Sequence, residues 1–242
     1  SEEPSVYTEQ VARFPNAYGC FDPPQDSPAV SASPAQENGF ITFGNFNNLI
    51  KMTDAMLELW CELLTELPNS KLMLKTRQLT EPEIRESLLP KFETHGIAAD
   101  RLLLEPGGTR MELLATYNRV DIALDTFPYP GGTTTAEALW MGVPVVTLSG
   151  DRFLSRVGHS ILAHAGFEDL VTYSMAEYKT KVIELAADVE ALSQRRQEMR
   201  PQFEQSPGCD NELFAVDFLN LMQDMWTDWQ QTGQETGQQT AG

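Results

Sequence analysis

Residues 120–148 read VDIALDTFPYPGGTTTAEALWMGVPVVTL, and the fold follows from how this stretch changes its period. Val120–Leu124 is a short apolar run around Asp121, the pattern of a buried strand. Asp125–Thr135 is crowded with proline, glycine and threonine, so it reads as a loop. Ala136–Met141 is an apolar helical segment closed by Gly142. Val143–Leu148 is again mostly apolar, with Thr147 its one polar side chain, and reads as a fully buried strand. A strand, a loop, a helix and a second strand make a βαβ unit, and a helical return sets its two strands parallel.

The same alternation extends outward. Upstream, Phe40–Phe43, Leu72–Leu74 and Leu102–Leu104 are candidate strands. Met56, Leu59, Trp60, Leu63, Leu64 and Leu67 share one face of a helix between the first two. Thr80-Glu81-Pro82-Glu83 and Thr109-Arg110-Met111-Glu112 each have the form of a capping box, and Gly96 closes the helix that the first one opens. Downstream, Ser174-Met175-Ala176-Glu177 opens another capped helix, and helices run on to about Trp229. The expectation is an α/β fold with a doubly wound, Rossmann-like parallel sheet of about five strands over residues 39–210. Residues 1–38 carry six of the fifteen prolines and read as an extended interdomain connector. Residues 211–230 read as a C-terminal helix and 231–242 as a disordered tail.

Composition narrows the function. Seventeen basic residues against thirty-five acidic ones give a net charge of −18, without the basic stripe of a nucleic-acid binder. There is no long apolar run for a membrane span and no secretory signal. Cys20, Cys61 and Cys209 lie far apart without a CxxC, which fits a reducing, cytoplasmic setting and argues against zinc. His95, His159 and His164 lack metal spacing and suggest no triad with a serine.

Ligands of such sheets sit beyond the carboxyl ends of the strands, and two loops there carry chemistry. In the first, Gly131 and Gly132 allow close backbone approach, and Thr133, Thr134 and Thr135 offer hydroxyls at a helix N-terminus suited to a diphosphate. Glu137, read as lying in the first helical turn, can accept hydrogen bonds from ribose hydroxyls. Gly-Gly is equally what a plain turn needs, and the threonines can simply be caps. The second loop, Phe43-Gly44-Asn45-Phe46-Asn47-Asn48-Leu49-Ile50-Lys51, places Lys51 one turn before a helix. There it is either a solvated lysine or a point charge for phosphate. Arg110 points toward the strand-end crevice or lies on the surface. Asp125 can hold its own loop through an Asx turn.

In order and spacing, FGNFNNLIK, ELPNSKLMLK, DIALDTFPYPGGTTTAEALWMGVPVVTLSGDRFLSRVGHSIL and the final helix with Asp224-Met225-Trp226 resemble the C-terminal lobe of the O-GlcNAc transferase family. The likeness is to the bacterial members carrying tetratricopeptide repeats, and the plant SPINDLY-type protein O-fucosyltransferases share nearly the same motifs. YTEQVARFPNAYGCFDPP, at residues 7–24, resembles the connector that leaves the family's N-terminal lobe.

The resemblance implies a metal-independent GT-B glycosyltransferase with the donor held between two Rossmann-like lobes and no cofactor. The implied donor is UDP-GlcNAc, with GDP-fucose as the alternative, and the implied acceptor is Ser or Thr of a protein. Asn48 and Lys51 would face the diphosphate, Gly132, Thr133 and Thr134 would wrap it, Glu137 would bind ribose, and Arg110 would lie near the nucleoside. Lys51 would stabilise the leaving diphosphate. Leu113 stands where the family usually has a histidine against the base. The N-terminal lobe and the tetratricopeptide repeats are implied as partners. The catalytic base is expected in that lobe, so this chain alone is expected to be inactive. The rival of another class is a noncatalytic nucleotide-binding or protein-interaction module. The missing GxGxxG argues against a Rossmann oxidoreductase.

Overall fold

The computed structural model of the protein describes residues 11–17 and 19–239, with side chains described as far as residue 231. Six parallel strands form one sheet: β1 (Thr42–Asn45), β2 (Lys71–Thr76), β3 (Leu102–Pro106), β4 (Ile122–Leu124), β5 (Val145–Leu148) and β6 (Val171–Thr172), in the order β3-β2-β1-β4-β5-β6. That order is the doubly wound one, and the chain reverses direction across the sheet between β1 and β4.

The two-residue period of the strands divides the core into two layers. Phe43, Leu72, Leu74, Ile122, Leu124, Val146 and Leu148 face one side, where Trp60, Leu63 and Leu64 of α2 (Asp54–Glu66) and Tyr178 and Val182 of α7 (Met175–Ala187) cover them. Met73, Ala123 and Val145 face the other side. They meet Leu114 and Tyr117 of α4 (Arg110–Tyr117), Leu139 of α5 (Thr133–Trp140), Leu162 of α6 (Val157–His164), and Met199 and Phe203 of α8 (Val189–Glu204). Each such fully buried side chain contributes roughly 1.5–3 kcal/mol.

Several sequence expectations shift. The sheet has a sixth strand, β6, whose two residues are too short for a pattern. β1 begins two residues later than Phe40 and runs on to Asn45. Thr80 caps nothing: it ends a 3-10 turn at Arg77–Thr80, so α3 (Pro82–Glu93) takes Glu81 at its N-cap without a side-chain bond. The boxes at Thr109 and Ser174 do cap: Thr109 accepts from Glu112 N–H and Ser174 from Glu177 N–H.

Of the residues read as connector, 1–10 and 18 fall outside the described residues, and the stretch from Phe21 on lies against the lobe. Its end forms the short helix α1 (Ala35–Asn38). The buried Asp121 carboxylate accepts from the Ser33 hydroxyl, from Ala35 N at 3.0 Å and from Thr42 N at 2.8 Å. Burial nevertheless pushes its pKa up. Arg196 of α8 is fully buried beside it and donates to Val120 O at 2.6 Å; burial pulls its pKa down to about 10. Phe21 stacks on Phe203 with ring centroids 5.9 Å apart. The last helix, α9, spans Asn211–Gln239, so the stretch expected as a tail continues as helix to that residue; 240–242 fall outside the described residues. Among the described residues no helix is long and apolar enough to cross a membrane, and no cluster of metal-binding side chains occurs.

Candidate functional site

The loops after β1 and β4 meet at the point where the sheet order reverses. Asn45, the last residue of β1, donates to Leu124 O at 2.7 Å and accepts from Asn47 N at 3.0 Å. Asn47 is buried: its amide NH2 donates to Asp125 Oδ1 at 3.3 Å and its Oδ1 accepts from the Thr134 hydroxyl at 2.9 Å.

Asp125 organises the glycine loop from inside. Its Oδ1 accepts from Thr126 N at 2.9 Å and Gly131 N at 2.7 Å, and its Oδ2 accepts from the Thr147 hydroxyl at 2.7 Å. Burial raises its pKa against these bonds. The loop holds a cis peptide between Phe127 and Pro128. It delivers the chain to Gly132, which precedes α5 without a side-chain cap. Among the described residues no group accepts from the N–H of Gly132, Thr133 or Thr134. These donors carry the positive end of the helix dipole.

Lys51 faces this helix end from the other loop. It closes a 3-10 turn, Leu49–Lys51, whose N-cap Asn48 accepts from Ile50 N at 3.0 Å. Its ammonium donates to Pro130 O at 2.9 Å. Burial lowers its pKa, and the Asp125 charge acts in the opposite sense. Together Asn47, Asn48, Lys51, Tyr129, Gly132, Thr133 and Thr134 line a cleft of about 380 Å³, with Pro130, Leu154 and Val157 completing its lining. No carboxylate or imidazole lines it. Gly132, Thr133 and Val157 also bound a more apolar cavity of about 280 Å³ that reaches Phe21, Ser160 and His164.

The sequence-predicted residues therefore divide. Asn48, Lys51, Gly132, Thr133 and Thr134 line the cleft. Gly131 and Thr135 are buried and do not line it: a Cβ on Gly131 would lie 2.5 Å from the Thr135 hydroxyl, so the two pack closely within the loop. Glu137 is not in the first turn, because α5 starts at Thr133 and makes it the fifth helical residue. It is buried one turn above Thr133 and Thr134 on the same face, 3.7 Å from Arg110 Nε. Burial raises its pKa, and Arg110 draws it back. Arg110 also donates to Asp22 O at 3.4 Å and lies 5.8 Å from the Phe21 ring.

Sequence reasoning missed Asn47, Tyr129 and this contribution of the connector. Their one available signal was the density of asparagine and aromatic residues in the two loops. Ser149 and His159 also pair, Oγ to Nδ1 at 2.9 Å, where no serine partner was expected. Burial lowers the imidazole pKa.

A parallel sheet in this order, with a helix N-terminus and a lysine facing one cleft at its switch point, has the fold of one Rossmann-like lobe of a GT-B glycosyltransferase. The chain belongs to glycosyl transferase family 41, whose profile matches residues 32–218. It is 38% identical over 221 residues to the Solanum lycopersicum protein named probable UDP-N-acetylglucosamine–peptide N-acetylglucosaminyltransferase SPINDLY, a match covering 91% of this chain and 24% of that protein. To the Arabidopsis thaliana relative of the same enzyme name, SEC, it is 29% identical over 235 residues, 91% and 23% of the two chains. A solved mutant of the Thermobaculum terrenum O-GlcNAc transferase superposes with a TM-score of 0.86 at 37% identity, over 94% of this chain and 43% of that one. TarM, at 14% identity and a TM-score of 0.57, shares the fold. The chain thus spans about a quarter of the length of the curated relatives it matches.

Proposed function

We propose that this chain is the nucleotide-sugar-binding lobe of a protein O-glycosyltransferase that takes UDP-GlcNAc as donor and serine or threonine hydroxyls of proteins as acceptor. The observation that carries this reading is the shared cleft: the Lys51 ammonium and the uncapped N-terminus of α5 converge on one volume at the switch point of the sheet. A diphosphate fits that charge, with its oxygens accepting from the N–H groups of Gly132, Thr133 and Thr134. Glu137, on the same face one turn along, is the residue we assign to the ribose hydroxyls, with Arg110 beside it. As the glycosidic bond breaks, negative charge grows on the leaving diphosphate, and the lysine and the helix end stabilise it.

Neither a carboxylate nor an imidazole is among the residues lining the cleft. The base then belongs to a second lobe, and the 242 residues alone bind donor without transferring sugar. The enzyme name carried by the SPINDLY and SEC relatives, which includes UDP-N-acetylglucosamine, supports this sugar nucleotide, and the likeness to SPINDLY keeps GDP-fucose as the second reading.

Thermal denaturation with UDP, GDP and NAD in parallel tests this. A nucleotide at one hundred times its dissociation constant adds about 2.7 kcal/mol to stability. UDP is expected to raise the unfolding midpoint. A rise with GDP alone would replace the donor by a guanosine one, and no rise with either would sink the donor-lobe reading.

A further inference from the structure

Lys51 is held in the cleft from two sides by consecutive residues of the opposite loop. Its ammonium lies 3.7 Å from the centroid of the Tyr129 ring and donates to Pro130 O at 2.9 Å. Tyr129 lies between Pro128 and Pro130, whose rings fix two backbone torsions beside it, so the backbone sets the seat of the aromatic ring. The loop is closed behind it, since the Thr126 hydroxyl donates to Tyr129 O at 2.7 Å. Tyr129 is 46% exposed and lines the same cleft, so it is no core aromatic.

A lysine has a flexible four-carbon stem and a strongly hydrated head, and left to itself it samples many positions. The face of an aromatic ring attracts an ammonium through its quadrupole. We propose that Tyr129 is a positioning residue, whose ring face holds the Lys51 ammonium at the wall of the cleft where the anionic part of the nucleotide arrives. This rests on the reading of Lys51 as the cation for the diphosphate. The attraction is to the ring, so the phenol hydroxyl is dispensable.

The test is calorimetric titration of the whole chain with UDP, using Tyr129→Leu, Tyr129→Phe, Lys51→Ala and the Lys51→Ala/Tyr129→Leu double variant. Tyr129→Leu is expected to weaken binding about fivefold. Tyr129→Phe is expected to rescue it, and the double variant to bind no worse than Lys51→Ala, because the tyrosine acts only through the lysine. A Tyr129→Leu affinity equal to wild type, a Tyr129→Phe as weak as Tyr129→Leu, or additive losses in the double variant would overturn the proposal. An unchanged Lys51→Ala affinity would instead overturn the diphosphate reading on which it rests. Proton NMR separates the two failures without nucleotide. The Lys51 Hε resonances should be shifted upfield by the ring in wild type and in Tyr129→Phe, and should return to ordinary positions in Tyr129→Leu. Ordinary positions in wild type would remove the ring contact itself.

Discussion

Thr134 donates its hydroxyl to Asn47 Oδ1 at 2.9 Å, and this bond joins the N-terminus of α5 to the loop after β1. It crosses the point where the sheet order reverses, so it fixes the distance between the two sides of the cleft. Thr134→Val keeps the shape and removes the donor, leaving a buried amide oxygen without its partner. The expected cost is about 1–2 kcal/mol in urea unfolding, with weaker UDP binding. The neighbouring Thr133 is exposed, and among the described residues its hydroxyl has no hydrogen-bond partner. Thr133→Ala should leave stability within about 0.5 kcal/mol. Equal losses for the two would show that the bond does not organise the loop.

The two glycines of the same loop should fail differently. A methyl at Gly131 would lie 2.6 Å from the Thr134 hydroxyl and 2.5 Å from that of Thr135, so it would break the bond to Asn47. A methyl at Gly132 would meet only Val157, at 3.9 Å, and would otherwise project into open space. Gly131→Ala is therefore expected to lower the unfolding midpoint, by about 1–3 kcal/mol of stability. Gly132→Ala should cost less stability and lose proportionally more UDP affinity, because its methyl occupies the path of the ligand to the helix N-terminus. The reverse ranking in paired denaturation and titration experiments would remove Gly132 from the site.

How much of this was open to reading in the sequence depends on how local each cause is. The glycine loop was legible because strand, turn and helix lie within one continuous stretch, and Lys51 because it follows a strand in the same way. Glu137 was read one turn too early, since three consecutive threonines look like loop and in fact begin the helix. Gly131 and Thr135 looked like ligands, but the buried Asp125 carboxylate turns that part of the loop inward. The connector was read as coil because prolines and serines dominate it. What orders it is Asp121, eighty-six residues beyond Ala35 in sequence, and no local pattern reveals such a bond. Asn47 and Tyr129 were missed for the same reason, as each acts on a residue of the other loop.

Lys51→Ala against His95→Ala tests which cation matters. Lys51 lines the cleft, while His95 lies beyond the end of α3 and borders a separate surface pocket with Glu58, Cys61 and Lys179. Loss of a charge-assisted contact costs roughly 1.5–3 kcal/mol, so Lys51→Ala should weaken UDP about tenfold or more, and His95→Ala should leave it unchanged. The pH dependence has a definite sign. Burial holds the Lys51 pKa below its ordinary 10.5, so the affinity of wild type should fall on the alkaline side before a free lysine would titrate. Lys51→Ala should lack that limb. Equal affinities for the two variants would count against the pocket.

Glu137 should separate stability from binding. Its carboxyl is buried, and burial raises its pKa above the ordinary 4.5 despite Arg110 at 3.7 Å. A carboxyl whose pKa is raised on folding binds its proton more tightly in the folded state. The stability this brings is fully present below pH 4.5 and is lost as the pH rises through the folded value. As the pH rises through the folded value, wild type takes on an unfavourable buried charge that Glu137→Gln lacks. The variant should unfold at a higher temperature than wild type at pH 8, and the gap should close on acidification below pH 4.5, where both side chains are neutral. The same change should weaken UDP, because a carboxylate accepts from ribose hydroxyls more strongly than an amide does. Melting curves from pH 4 to 8 beside a UDP titration at pH 8 check both parts. If the variant is less stable at pH 8, the Arg110 pair outweighs the burial of Glu137. If it binds UDP like wild type, Glu137 does not touch the ribose.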